Sequence, residues 1–213
     1  MDTTYVGFYA RFDTLSKKEA AALLGADNLV GDMFDIVFET EEGNTIAWMK
    51  NRFGKLVGFF DAKTTHQLRV LKARDWHTEA LLSFMAFTDR PEPGHYWGEA
   101  AVICFSPDQS EIFSQFSEGI ANRLMDGVRP DIDLGEQGIK QVIESGGSWL
   151  PSKSVPLPKG QTGTVIMKNS RKISEKFIEQ GRKGNKGCYL ISWIFLIALA
   201  GSIVVALKSC NVF

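Results

Sequence analysis

Apolar and polar residues alternate in several short stretches of the first half of this chain, and a period of two predicts β-strands. Tyr5 to Phe12 forms the first stretch. In the second, Phe34, Ile36 and Phe38 alternate with Asp35, Val37 and Glu39. The loop Glu41-Glu42-Gly43-Asn44 turns the chain into Thr45 to Met49, and Asn51 to Gly54 turns it again into Lys55 to Phe60. Short Gly/Asn loops join antiparallel strands, whereas parallel strands need a long crossover. Two longer strands are predicted at Glu79 to Thr88 and Glu99 to Phe105, joined by Asp89-Arg90-Pro91-Glu92-Pro93-Gly94. Residues 62–74 fit helix and strand patterns equally.

Elsewhere the period becomes helical. Ser16-Lys17-Lys18-Glu19 is a capping box, followed by apolar Ala20, Leu23 and Leu24 and a stop at Gly25. Asp108 and Glu111 make a second box, after which Ile112, Phe113, Phe116, Ile120 and Leu124 form one stripe before Gly127. A shorter helix is predicted from Asp133 through Ile139, Val142 and Ile143 to Gly146-Gly147. Strand, turn and capped helix recur after Phe12 and Phe105, a faint echo of ferredoxin-like duplication, though this local order is common without one. The fold class these elements predict is α+β: a predominantly antiparallel sheet with two to four helices packed on it, over residues 1–150.

After Trp149 the texture changes. Pro151, Pro156, Pro158, Gly160 and Gly163 predict an extended linker. Pro151 to Pro158 also has the form of a polyproline ligand for an aromatic groove, but a spacer explains it as well. Asn169 to Gln180 carries Ile173, Phe177 and Ile178 against lysines, the pattern of a short amphipathic helix at a membrane surface. Residues 151–187 are therefore expected to be a basic linker and juxtamembrane segment. Cys188 to Leu207 is then twenty residues without a charge. As a helix it would span about 30 Å, the thickness of a bilayer's hydrocarbon core. One C-terminal transmembrane helix is expected there, with residues 208–213 as a short translocated tail.

Charge gives the orientation. The formal net charge is −1, yet residues 1–150 hold fourteen basic against twenty-three acidic side chains, a net of −9. Residues 151–186 hold nine basic against two acidic, a net of +7. Arg171, Lys172, Lys176, Arg182, Lys183 and Lys186 flank the apolar run on one side, and Lys208 alone follows it. The positive-inside tendency then places the N-terminal domain in the cytoplasm, and the start of the chain lacks a secretory signal pattern. The expected architecture is a tail-anchored, single-pass membrane protein, its partners the lipid bilayer and a protein. Nucleic acid is disfavoured, because the folded part is acidic and has no basic stripe. Ala198, Gly201, Ser202 and Ala206 give the expected helix a small-residue face, through which a homodimer would pack.

Candidate chemistry is sparse. Cys104 sits in an apolar strand pattern, Cys188 at the membrane entrance and Cys210 in the tail, with no disulfide framework or metal-ligand spacing. Asp75-Trp76-His77-Thr78-Glu79 is the best cluster: if a strand begins at Asp75, then Asp75, His77 and Glu79 share a face, suited to acid/base work or to holding a metal. An exposed strand end of mixed charge is the ordinary explanation. His95, Tyr96 and Trp97 follow a Pro/Gly loop and would suit a partner-binding surface, or equally the start of a core strand. Gly146-Gly147-Ser148-Trp149 lacks the nucleophile-elbow order, and Lys159-Gly160-Gln161-Thr162-Gly163-Thr164 is no complete phosphate loop. Cys210-Asn211-Val212-Phe213 matches a prenylation form, but that modification needs a cytosolic end. No cofactor is called for. The expected function is binding of a protein partner, as scaffold or regulator; the alternative is a membrane-tethered hydrolase, metal-assisted or His-dependent.

Overall fold

The computed structural model describes residues 4–15, 20, 23–25, 27–41, 43–160, 162–172, 175, 195 and 197. The chain divides into a unit of Met1–Arg171 and a second of Lys172–Phe213. The first unit holds β1 (Tyr5–Asp13), β2 (Met33–Glu41), β3 (Asn44–Lys50), β4 (Leu56–Phe60), β5 (His77–Thr88), β6 (His95–Phe105) and β7 (Thr164–Lys168). Among the described residues, three helices can be followed from end to end: α1 (Ala62–Lys72), α2 (Ser110–Met125) and α3 (Gly135–Glu144). The strands lie in the order β2-β3-β4-β1-β6-β5-β7, and a further pairing of β2 with β5 closes the first six into an antiparallel barrel. The antiparallel sheet and its helices are as the sequence pattern predicts. Closure is the addition.

Alternation sorts the side chains into two layers. Ala10 and Phe12 of β1, Ala100, Val102 and Cys104 of β6, and Phe34, Ile36, Ala47, Met49 and Val57 of β2–β4 join one buried cluster. Leu68 and Leu71 of α1 complete it. Tyr5, Leu81, Ala101, Ile103 and Phe105 face the other way and meet Phe113, Phe116, Ile120 and Leu124 of α2 and Val142 of α3. Full burial of each such Phe, Ile or Leu contributes about 1.5–3 kcal/mol. Strands β5 and β6 are thus buried on both faces, which is why their sequences read as nearly continuous apolar runs.

Residues 62–74 resolve as helix. The Asp61 carboxylate accepts a hydrogen bond from the Thr64 amide at 2.7 Å, and Thr65, Leu68 and Leu71 bury one side. The box expected at Asp108 and Glu111 does not cap α2: Pro107–Gln109 winds as a 3-10 turn, and Gln109 takes the cap position without a side-chain bond. Ala20, Leu23 and Leu24 are helical as expected, while the box before them lies outside the described residues. Strands β1 and β6 are antiparallel neighbours, so the two strand–helix units do not form a parallel repeat.

The largest departure concerns the linker. Residues 151–171 belong to the first compact unit rather than to a free spacer. Pro151 is buried, Ser154 bridges Pro130, and Val155 donates its amide to the Arg129 carbonyl at 2.8 Å. Thr164–Lys168 then pairs with Met85–Thr88 as β7. Asn169–Lys172, expected to open an amphipathic helix, is not helical. In the second unit the Lys172 amide donates to Glu175 Oε2 at 2.9 Å, and Phe195 and Ile197 are helical and exposed. Among the described residues no helix is long and apolar enough to cross a membrane. Apart from Phe195 and Ile197, the run 188–207 lies outside them.

Candidate functional site

Strand β5 begins at His77, so alternation carries His77 and Glu79 to one side but does not reach Asp75. Asp75 occupies the turn before the strand, with a positive φ of 60°, and is exposed. His77 Nε2 lies 3.0 Å from Glu79 Oε2, and the imidazole packs at a tilt against Phe105 with ring centroids 4.7 Å apart. The imidazole is half-exposed, while the carboxylate is buried with Oε1 lacking any hydrogen-bond partner. A buried carboxylate that orients an accessible imidazole has the makings of a proton-transfer pair. Among the described residues no three His, Cys, Asp or Glu side chains converge as a metal group would require.

The second predicted constellation takes the core-strand form. Trp97 is buried and donates its indole N–H to Thr88 Oγ1 at 2.8 Å, and Thr88 Oγ1 lies 2.9 Å from Thr164 Oγ1. Tyr96 packs on Phe87, with ring centroids 4.8 Å apart. His95 Nε2 is 3.5 Å from Arg11, whose guanidinium lies over the Trp97 ring. These residues knit β6 to β1, β5 and β7.

Arg129 organises a cluster with no motif to announce it. Its guanidinium is buried, lies 4.3 Å from the centroid of the Tyr9 ring, bonds Glu99 Oε2, and donates to the Pro156 carbonyl at 2.8 Å. The adjoining segment is held from below by two tyrosines of β1. Tyr5 donates to the Ile132 carbonyl at 3.0 Å and Tyr9 to the Pro130 carbonyl at 2.8 Å. Burial drives both phenol pKa values upward, so both stay protonated donors. Gly7 permits the approach, since a Cβ there would come within 2.5 Å of the Ile132 carbonyl. Leu157 packs against Phe84, Ala86 and Trp97 and completes the clasp over residues 151–157.

Arg171 was expected in a basic collar at the membrane surface, but it is buried. It bonds Asp32 Oδ1 at 2.8 Å and Val30 O at 2.5 Å. Lys172 is exposed. Lys176, Arg182, Lys183 and Lys186, like Ala198, Gly201, Ser202 and Ala206, lie outside the described residues. A cleft of about 340 Å³ is lined by Asp32, the partner of Arg171, and by Asp35, Lys50, Arg52, Asn28 and Asn51 among others. Asn51 donates its side-chain amide to Asn28 Oδ1 at 3.0 Å. Hydrophobic patterning is blind to such a cleft; the signal available was Asn51 at the head of a Gly-containing turn.

Comparison with protein-family models, curated proteins and solved structures finds no match to this chain.

Proposed function

We propose that Met1–Arg171 is a protein-binding domain, a scaffold or regulator, held on the cytoplasmic face of a membrane by the uncharged run 188–207. The observation that carries the binding reading is β7. Val165, Ile166 and Met167 are 58%, 37% and 44% exposed on a strand that, among the described residues, pairs with β5 alone. An apolar strand with an open edge recruits an extended segment of another chain by backbone pairing. The basic flank and the uncharged run support membrane attachment with the acidic domain on the cytoplasmic side. Crosslinking in native membranes followed by mass spectrometry tests the reading, comparing the full chain with Val165→Lys/Met167→Lys and with a chain lacking residues 188–213. A stoichiometric protein partner, lost in both variants, is expected. The full chain emerging from its membrane without one would remove the reading's main support.

A second reading rests on the His77–Glu79 pair: a membrane-tethered hydrolase in which Glu79 orients His77 as acid/base. Its readout is hydrolysis of small ester or phosphoester substrates, or metal bound at stoichiometry, abolished by His77→Ala. Hydrolysis and metal content both unchanged by that substitution would discard it.

A further inference from the structure

The turn between β3 and β4 presents an exposed aromatic among cations on an otherwise acidic domain. Phe53 is 61% exposed at its tip, with Arg52 lying 4.9 Å from the ring centroid. The turn is not slack. Asn51 is buried, and its Oδ1 accepts from the Phe53 amide at 3.1 Å and the Lys55 amide at 2.9 Å. The Asn51 amide closes the turn on the Lys55 carbonyl at 2.9 Å, and Gly54 takes the positive φ of 77° that this geometry requires. The backbone is therefore fixed in a form that displays Phe53 to solvent, where it forgoes the burial that a Phe of the core enjoys.

The same end of the barrel is where the chain leaves this unit. Lys168 donates to the Asn28 carbonyl at 3.0 Å, and Arg171 bonds Asp32, while Asn28 is itself bonded to Asn51. Lys50, Arg52 and Lys55 stand on this turn with Lys168 and Arg171 close by, while Asp27, Asp32 and Asp35 line the adjoining cleft and Glu79 pairs beside Asp35: five cations against four carboxylates, in a domain whose net charge over residues 1–150 is −9. Asp32 is taken by Arg171, and Asp35 faces Lys50 at 3.9 Å. Sixteen residues separate Arg171 from the first residue of the uncharged run.

We infer that the Lys50–Lys55 turn docks on an anionic lipid surface, Phe53 entering the headgroup region and Lys50, Arg52 and Lys55 meeting lipid phosphates. The inference builds on the membrane attachment proposed above and adds a second contact, made by the folded domain itself. Aromatic side chains favour the interface between water and hydrocarbon, and cations favour an acidic leaflet. The rigid turn supplies both without an ordering cost at the moment of contact.

The test is amine footprinting of the full chain in phosphatidylcholine nanodiscs, with and without phosphatidylserine, read lysine by lysine by mass spectrometry. Lys50 and Lys55 should label several-fold less when phosphatidylserine is present, while Lys140 and Lys153, which are 75% and 80% exposed, label equally in both. Each cation removed near the surface weakens anionic contact roughly fivefold, so Arg52→Glu and Phe53→Ser should restore labelling. Equal labelling of Lys50 and Lys55 in both lipids overturns the inference, as does protection that appears only when a second protein is added. Alkaline extraction of native membranes reports the attachment of residues 188–207 separately, so the two claims fail independently.

Discussion

Glu79 and Glu99 stand on neighbouring strands, and both are withdrawn from solvent, yet their surroundings differ in kind. Glu99 is met by Arg129, a side chain charged at every accessible pH, which is itself stacked on Tyr9 and bonded to Pro156. Glu79 is met by His77, half-exposed and charged only when protonated, and one of its oxygens has no partner. The first arrangement is a fastening: Arg129 grips Glu99 and the Tyr9 ring on the barrel with the same guanidinium that holds the Pro156 carbonyl. The second is looser: the imidazole is half-exposed, and one carboxylate oxygen has no hydrogen-bond partner. Burial of a carboxylate therefore does not by itself mark chemistry.

The sharpest way to break this contrast is to remove the fastening. Arg129→Ala should cost about 3–5 kcal/mol in urea unfolding, because Glu99 would be left withdrawn from water without its cation. A cost below about 1 kcal/mol would show the clasp to be dispensable. Arg171→Ala removes the other buried guanidinium and should cost about 3 kcal/mol, with faster amide exchange along β7, the strand that leads to it. Asp61→Ala should cost about 1 kcal/mol at neutral pH by uncapping α1. The Thr64 hydrogen bonds hold the Asp61 carboxyl below its usual pKa, so the cap contributes fully above the unfolded-state value and is lost as pH falls through the folded-state value. Wild type and Asp61→Ala should therefore converge in stability in acid. Glu79→Gln should change stability by less than about 1 kcal/mol, since one oxygen already lacks a partner and the amide can still bond His77. The smallest effect is kinetic: burial pushes the Cys104 thiol up to about 12, so alkylation there should be negligible until the protein unfolds.

Local pattern carried much of this fold. Alternation around Phe34, Ile36 and Phe38 and the Gly43-Asn44 turn gave β2 and β3 to within a few residues. The α2 stripe from Phe113 to Leu124 needed no tertiary context. Barrel closure was not legible, because it depends on Met33 meeting Leu81 and Asp35 meeting Glu79, a pairing between residues more than forty apart that leaves no local period. Strand β7 was hidden in another way. Thr164–Lys168 is five residues long beside Gly160 and Gly163, and its place on β5 becomes available only where β2 turns away at Gly31. Of the candidate site, the proximity of His77 and Glu79 followed from period-two spacing. Asp75 was mistakenly joined to them, because the turn ahead of the strand interrupts the alternation. Arg171 read as one more cation in a basic run; only the fold reveals Asp32 waiting for it.

The proposed attachment of this domain to a membrane through residues 188–207 is tested most directly by alkaline carbonate extraction of native membranes. The full chain should remain in the membrane pellet, and Ile194→Arg/Leu199→Arg, which puts two charges into the uncharged run, should release it to the supernatant. Release of the unmodified chain under the same conditions would contradict the account.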